Sequence, residues 1–370
     1  MMSKSVVKCL SHLQNCGFIK LNERKDLIKE FSTLGLLVRR NLKLSLNKYF
    51  RTLNNIPIFP VSCMNNLKSL KGTIIPHETK SYGVLFPTKE PVFTQMDESI
   101  PDGLSLWEER SPILNLVIVS EAIHSSNLFN SFQNRTYRWW RTLSPSPSLF
   151  YQSAIEKPTT LNEDRMFIAF RSPLLDSQSI CVERMSHIYD REQIDKLTKT
   201  DNDQNLICCS IFQDNATLAY LINGLSTSTS HQNQDMFFQN SLAPYKVAIF
   251  IDDSSDSDDF RAHDIANYLM KNLGESGIDV FPFICHHKHH LMSLGMCDKI
   301  GIPYIVSIKQ ESKDSGVIYL RNKETKLEEQ VYISQIKMTL LLYLKMITPL
   351  DVKMSIFEER QKKEKTSSKQ

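Results

Sequence analysis

A run of cysteine and histidine residues is the first candidate for metal chemistry in this sequence. Cys285 begins the run 285–290, which also contains four histidines, and Cys297 follows a short way downstream. Thiolate and imidazole groups are ligands that Zn²⁺ prefers. Structural zinc sites usually take paired ligands from two separate turns, whereas this run lies at the start of one predicted helix, His286 to Ile300. We therefore predict a solvated helix end here and no metal site.

An acidic segment, residues 252–259, is the second candidate, because its aspartates alternate with serines as oxygen ligands do in a calcium loop. It lacks the turn glycine and the final bidentate glutamate of an EF-hand. Serine and aspartate directly before a helix cap its free N–H groups and complement the positive end of its dipole. The segment therefore predicts the start of a helix at about Ser257, and we predict no calcium site.

Three arginines on one predicted helix form the third candidate. Arg135, Arg138 and Arg141 flank the tandem Trp139 and Trp140. Basic side chains beside aromatic rings can hold a nucleic-acid backbone, so the three arginines are candidate DNA-binding residues. The alternative is that the tryptophans anchor the helix in the core while the arginines extend into solvent.

The first 60 residues are strongly basic, with eleven Lys or Arg and three Asp or Glu. Arg39, Arg40 and Lys43 lie in this part, on a helix predicted to end near Leu53, and we add them to the candidate DNA-binding residues. The alternative is a long solvated helix face.

No motif of a familiar catalytic or cofactor site occurs. The sequence has no phosphate-binding Gly-x-x-x-x-Gly-Lys loop, no Gly-x-Gly-x-x-Gly after a predicted strand, no His-Glu-x-x-His and no Gly-x-Ser-x-Gly. We therefore predict no catalytic residues and no cofactor.

The composition is that of a folded globular chain. Of the 370 residues, 41% are hydrophobic and 23% are charged, which excludes collagen-like and largely disordered classes. The apolar runs are far shorter than the roughly 20 residues that cross a bilayer, so we predict no membrane partner.

Residues 1–21 have the character of an organellar presequence. Lys4, Lys8 and Lys20 precede the first acid, Glu23, and the apolar residues from Val6 to Leu13 line one helical face. Because Asn22 looks like the cap of the first helix of the folded protein, we expect the chain to fold without this segment.

The hydrophobic patterns predict two domains of different class. Residues 22–225 read as an α+β domain with an antiparallel sheet, beginning with a helix from Asn22 to Leu34 and ending with a strand from Thr217 to Ile222. A polar linker, 226–241, precedes an α/β domain with a mixed sheet, 242–350, and a charged tail, 351–370.

Several segments carry a resemblance to a known family. They are Leu-Ala-Pro-Tyr-Lys-Val-Ala-Ile from Leu242, Gly-Ile-Pro-Tyr ending at Tyr304, Gly-Val-Ile-Tyr-Leu-Arg-Asn-Lys-Glu-Thr from Gly316, and Trp-Trp-Arg-Thr-Leu-Ser from Trp139. Together they resemble the accessory subunits of mitochondrial DNA polymerase gamma, and more closely the short insect form.

The resemblance implies a class II aminoacyl-tRNA synthetase-like fold that has lost its chemistry, followed by an anticodon-binding-like domain. A working synthetase would need an Arg-x-Glu for ATP, but Arg171 is followed by Ser172 and Pro173. It would also need a glycine-rich segment with an arginine before the second domain, where this chain has Ile-Asn-Gly-Leu from Ile222. The resemblance therefore implies a protein that is not an enzyme.

The family also implies partners and a location. These are the catalytic subunit of the polymerase, double-stranded or primer-template DNA, one copy per catalytic subunit rather than a homodimer, and the mitochondrial matrix or nucleoid. Within the matching segments we predict Tyr304, Arg321 and Lys323 as partner-binding residues. The alternative function is that of a synthetase-like protein that binds or aminoacylates tRNA.

Overall fold

The structure, a computed structural model, describes residues 3–53, 56–62, 81–89, 106–107, 112–157, 162–176, 178–197, 203–226, 235–252, 260–286 and 293–348. The chain divides into two compact units, Met1–Leu242 and Ala243–Gln370. Within the described ranges, no helix combines the length and the apolar character that crossing a membrane requires. The predicted charged tail, 351–370, lies outside the described residues.

The N-terminal unit begins with helix α1, Lys4–Asn15, in the segment predicted as a presequence. The Ser3 hydroxyl caps it by accepting a hydrogen bond from the backbone N–H of Val6 at 3.3 Å. Its apolar face, which includes Leu10 and Leu13, is buried in the main core of this unit. Removal of residues 1–21 would expose that core, so the expectation that the chain folds without them stays a prediction for experiment.

A β-hairpin follows where a helix from Asn22 was predicted, and that prediction is wrong. The side-chain oxygen of Asn22 accepts hydrogen bonds from the backbone N–H groups of Asp26 and Leu27, at 3.1 and 3.3 Å. Asn22 therefore closes a turn instead of capping a helix, which is a common alternative use of this side chain. The elements are β1 (Ile19–Leu21), β2 (Ile28–Phe31) and the predicted second helix, α2 (Thr33–Arg51).

A seven-stranded sheet forms the body of the N-terminal unit, in the order β3-β4-β5-β9-β8-β7-β6. Neighbouring strands in this sheet run antiparallel, except β3 and β4, which run parallel. The strands are β3 (Ile58–Pro60), β4 (Tyr82–Thr88), β5 (Ile113–Glu121), β6 (Phe150–Gln152), β7 (Glu163–Arg171), β8 (Ser179–Ile188) and β9 (Gln204–Ile211).

Helices pack against this sheet and position the candidate residues. The predicted arginine helix is present as α3 (Ala122–Thr142), which contacts β5, β8 and β9. A strand was predicted at Thr217–Ile222, but this segment lies within a helix. It is buried on all sides, so its apolar residues show no helical stripe. Within the described residues, this unit also contains the helices α4 (Arg191–Leu197) and α5 (Gln213–Ser226).

The C-terminal unit contains the predicted mixed sheet, in the order β11-β10-β12-β13-β14. β10 pairs in parallel with β11 and β12, and β13 and β14 extend the sheet antiparallel. The strands are β10 (Val247–Asp252), β11 (Val280–His286), β12 (Tyr304–Lys309), β13 (Val317–Asn322) and β14 (Glu328–Tyr332).

The helices of this unit alternate with its strands. A helix was predicted from His286, but His286 ends β11, and the helix begins after the Ser293 cap. Gly301 ends that helix in the left-handed conformation, which glycine adopts without strain. The helices are α6 (Phe260–Glu275), α7 (Leu294–Ile300), α8 (Ser312–Ser315) and α9 (Ile336–Tyr343).

Candidate functional site

The candidate DNA-binding residues of α2 differ in their exposure and in their contacts. Arg39 forms an ion pair with Asp214 of α5, with 2.8 Å between Nε and Oδ1. Arg40 and Lys43 are exposed, although the Arg40 guanidinium also contacts the Asn41 side chain at 3.2 Å. Arg40 and Lys43 therefore present positive charge to solvent, while Arg39 holds α2 against α5.

The arginines of α3 are used in three different ways. Arg135 donates a hydrogen bond to the carbonyl of Thr52 at 3.2 Å, just after α2 ends. Arg141 donates to the carbonyl of Pro147 at 3.2 Å and lies over the Tyr137 ring. Arg138 is exposed. Two of the three arginines thus connect elements of the unit, and Arg138 is best placed to meet a polyanion.

Two side-chain contacts bring the ends of α2 and α3 together. The Tyr49 hydroxyl is 2.9 Å from that of Thr136, and the Tyr49 ring stacks on Trp139 at 5.1 Å. Arg40 lies eleven residues before Arg51, the last residue of α2, which is about 16 Å along a helix. Arg135 therefore meets α2 at the end opposite to Arg40.

Trp140 acts as a core anchor, as in the structural alternative. Its ring is fully buried, and its indole N–H donates a hydrogen bond to the carboxylate of Glu183 in β8. The Tyr220 hydroxyl donates to the Trp140 carbonyl at 2.8 Å. Trp139, which is only partly buried, packs beside Trp140 edge to face. Tandem tryptophan thus fixes α3 to the sheet and to α5.

Glu183 is a buried carboxyl group in the sheet of the N-terminal unit, and sequence reasoning missed it. It is fully buried, and the Cys209 thiol donates a hydrogen bond to it at 2.7 Å. Burial raises the pKa of Glu183 to about 7, although the hydrogen bonds from Cys209 and Trp140 oppose the change. An acidic residue in the middle of a strand predicted to be buried was the signal that could have identified it.

A serine, a histidine and an aspartate approach the geometry of a hydrolytic triad in the same unit. Ser125 Oγ is 3.0 Å from His187 Nε2, and His187 Nδ1 is 3.9 Å from Asp164. Ser125 is completely buried and donates to the carbonyl of Ala122 at 2.8 Å, so its hydroxyl is engaged and out of reach of a substrate. Asn205 also donates to it, at 2.9 Å. The arrangement joins α3 to the sheet.

The two segments where a working synthetase would carry these motifs have structural roles here. After Arg171, the Ser172 hydroxyl accepts a hydrogen bond from the backbone N–H of Leu174 and so caps a short turn. Arg171 itself lies over the Tyr151 ring at 4.9 Å. Asn223 is buried and donates to the Ser144 hydroxyl at 2.8 Å. These side chains satisfy neighbouring groups of the protein.

Two of the three predicted partner-binding residues of the C-terminal unit, Arg321 and Lys323, contact the same aspartate residue. Asp298 of α7 accepts two hydrogen bonds from Arg321, at 3.2 and 3.0 Å, and one from Lys326 at 2.8 Å. The ammonium of Lys323 donates to the Asp298 carbonyl and is buried. Tyr304 is also mostly buried and packs against the Tyr343 ring.

Asp298 is ionised in this setting. Burial alone would raise the pKa of its carboxyl group, but the hydrogen bonds and charges of Arg321 and Lys326 outweigh burial and hold the pKa below its usual range. The three cations tie β13 and the turn after it to α7. Their role as a partner surface stays a prediction.

The cysteine and histidine run is only partly described. Cys285 and Cys297 lie side by side, with 3.6 Å between their sulfur atoms. In the described ranges, no group of three or more His, Cys, Asp or Glu side chains is arranged to hold a metal ion. Residues 287–290, and residues 253–259 of the acidic segment, lie outside the described residues.

The described sheets and helices form a class II aminoacyl-tRNA synthetase-like fold. The structure is similar to the crystal structure of prolyl-tRNA synthetase from Cryptosporidium parvum, with a TM-score of 0.62 over 91% of this chain and 77% of that chain. The sequence identity is 7%, so this likeness concerns the fold alone. The predicted fold class is therefore confirmed.

Curated relatives give the particular protein that the chain resembles. It is 26% identical over 252 residues to DNA polymerase subunit gamma-2, mitochondrial, of Drosophila melanogaster, which covers 64% of this chain and 68% of that protein. It is 21% identical over 397 residues to the protein of that name from Xenopus laevis, covering 93% and 85%.

The mouse protein, DNA polymerase subunit gamma-2 of Mus musculus, is 23% identical over 222 residues, which is 56% of this chain and about half, 48%, of that protein. No protein-family model matches the chain. The predicted resemblance to the polymerase gamma accessory subunits is confirmed.

Proposed function

We propose that this chain is the non-catalytic accessory subunit of a mitochondrial DNA polymerase gamma. It binds the catalytic subunit and strengthens the hold of the complex on primer-template DNA during mitochondrial DNA replication, in the matrix or nucleoid. The observation that carries the proposal is the similarity to the Xenopus laevis protein, which extends over 93% of this chain and 85% of that protein.

The absence of catalysis is supported by the use of the synthetase-like positions. Pro173 stands where the glutamate of an Arg-x-Glu motif would follow Arg171, and the Ser172 hydroxyl before it caps a turn. Asn223 donates to the Ser144 hydroxyl. In the C-terminal unit, we propose that Tyr304, Arg321 and Lys323 support the face that meets the catalytic subunit. Because Tyr304 and Lys323 are buried and Arg321 is paired with Asp298, they shape this face from beneath and do not present free charge on it.

A primer-extension assay tests the proposal directly. The full chain is added to the catalytic subunit of the same species on a singly primed template with an excess of trap DNA, at increasing salt. We expect longer products per binding event and tolerance of higher salt, because the complex holds DNA through more phosphate contacts. The heat-denatured chain is the control. Unchanged product length, together with separate elution of the two proteins, would contradict the proposal.

The stoichiometry is tested on the same material. Light scattering of the purified complex is expected to give one copy of this chain per catalytic subunit. A mass that corresponds to two copies would overturn this part of the proposal and leave the accessory role in place.

A synthetase-like function is the second candidate, because the prolyl-tRNA synthetase likeness extends over 91% of this chain. ATP–pyrophosphate exchange with each of the 20 amino acids separates the two functions. We expect no exchange. Exchange with any amino acid would favour the enzyme and would count against the accessory role if primer extension were also unchanged.

A further inference from the structure

Two cysteines of the C-terminal unit are close enough to react with each other. Cys285 lies in β11 and Cys297 in α7, and their sulfur atoms are 3.6 Å apart. A disulfide bond is about 2.05 Å long, so the sulfurs need to approach by roughly 1.5 Å. Both side chains are buried, with 0% and 1% exposure.

The two thiols are electronically unequal. The hydrogen bond from the Cys297 thiol lowers the pKa of Cys285, against the effect of burial, and the same contact raises the pKa of Cys297. Because the thiolate is the reactive form, Cys285 is the better nucleophile and Cys297 the better placed to complete the reaction.

We propose that Cys285 and Cys297 form a reversible disulfide site whose oxidant is a low-molecular-weight disulfide such as glutathione disulfide. The Cys285 thiolate attacks one sulfur of the oxidant, the S–S bond breaks, and one glutathione leaves and takes up a proton. The Cys297 thiolate then attacks the Cys285 sulfur and releases the second glutathione. The two protein thiols lose two electrons, and the oxidant gains them as two thiols.

Burial sets the kinetics of this site. An oxidant reaches the pair only when α7 separates locally from β11, so oxidation is slow, and α7 has only seven residues to hold it in place. The same barrier protects the finished disulfide from reductants. The bond would fix to β11 the helix that carries Asp298, and with it the Arg321 and Lys326 ion pairs.

Mass-spectrometric mapping of the full chain tests the site without any substitution. The protein is incubated with glutathione disulfide at 25 °C and at moderately elevated temperature, free thiols are blocked, and the digest is searched for linked peptides. We expect the 285–297 linkage to be the main intramolecular one, to form faster on warming, to disappear with dithiothreitol and to raise the melting temperature by a few degrees.

Variants then assign the two roles. Cys297→Ser is expected to stop the reaction at the glutathione adduct of Cys285, whereas Cys16→Ser, in the other unit, is expected to leave the 285–297 linkage unchanged. Recovery of both thiols unmodified after warming, or a different linkage as the main product, would overturn the proposal. The inference does not depend on the proposed function.

Discussion

Trp140 of α3 donates its indole N–H to the carboxylate of Glu183 in β8, and both side chains are fully buried. The contact joins residues of the core that are far apart in sequence, and it places an ionisable group where water does not reach it. Cys209 completes the set by donating to the second carboxylate oxygen. The protonation state of one carboxyl group is thereby coupled to the stability of the N-terminal unit.

The first prediction concerns this pH dependence. The pKa of Glu183 is raised in the folded state to about 7, so its protonated form is favoured there, and its contribution to the free energy of unfolding is lost as the pH rises through 7. Over pH 4 to 9 the loss is on the order of 3 kcal/mol. Urea unfolding of the wild type and of Glu183→Gln measures it. We expect a shallower decline for Glu183→Gln, and equal slopes would contradict the prediction.

The second prediction concerns His187, which works in the opposite direction. Burial lowers the pKa of His187, although nearby Asp164 opposes the effect, so the neutral ring is favoured in the folded state. Stability is therefore present above the unfolded-state pKa of about 6.5 and is lost as the pH falls below it.

His187→Gln is expected to reduce the loss of stability between pH 7 and pH 5, measured by thermal unfolding. His124, whose side chain is 70% exposed, provides the matched control, and His124→Gln is expected to leave the pH profile unchanged. A profile that changes equally in both variants would assign the effect to net charge.

The third prediction separates the two accounts of residues 1–21. Leu10 is completely buried in the core, and Leu10→Ala is expected to cost about 2 to 5 kcal/mol of stability. Lys8 on the same helix is exposed, and Lys8→Ala is expected to change stability by less than about 0.5 kcal/mol. Chemical denaturation of both variants tests this. Equal stability of a chain that lacks residues 1–16 would mean that α1 is dispensable.

The fourth prediction concerns DNA binding. Arg40, Lys43 and Arg138 are exposed, so replacing them with alanine is expected to weaken duplex binding and to reduce the salt slope by about one for each phosphate that the protein no longer neutralises. Lys20→Ala, which removes a charge that pairs with Glu30 at 2.7 Å, is the control. An unchanged slope in fluorescence anisotropy titrations would mean that these charges only solvate their helices.

The fifth prediction concerns the ion cluster of the C-terminal unit. Asp298→Asn leaves Arg321 and Lys326 without their counter-ion, and we expect a loss of about 2 to 4 kcal/mol because Arg321 is largely buried. Lys326→Ala is expected to cost less, because its side chain is 44% exposed. Thermal unfolding of the full chain compares the stability losses of the two variants. A larger loss for Lys326→Ala than for Asp298→Asn would contradict the prediction.

Much of the fold was predictable, because the strands of the main sheet either alternate apolar and polar residues or are continuously apolar. The strand predicted at Ser179–Ile188 has those bounds in the structure. The errors have local causes. Asn22 has the same side-chain chemistry in a turn as at a helix cap, and the Thr217–Ile222 segment is buried all round, which removes the periodicity that distinguishes a helix from a strand.

The site was less predictable, because its contacts depend on tertiary distance. The sequence identified Trp140 as either a core anchor or a surface residue. It could not show that Glu183, in a strand of the sheet, is its hydrogen-bond partner. Similarly, Arg321 and Lys323 stood out as cations of a matching segment, while Asp298, around which they gather, lies on another element. Residue patterns within one stretch of the chain predict its helices and strands. The contacts between those elements decide which charged side chains are neutralised by a partner.

The two edges of the C-terminal sheet have a consequence for aggregation. β14 is an edge strand, and its Glu328 and Glu329 are exposed. β11 is the opposite edge, where Pro282 lacks a backbone N–H and the pairing with β10 is irregular. Charge on one edge, and a proline with an irregular strand on the other, hinder the addition of a strand from another molecule. The unit can therefore be held at high local concentration with little tendency to grow into continuous sheets.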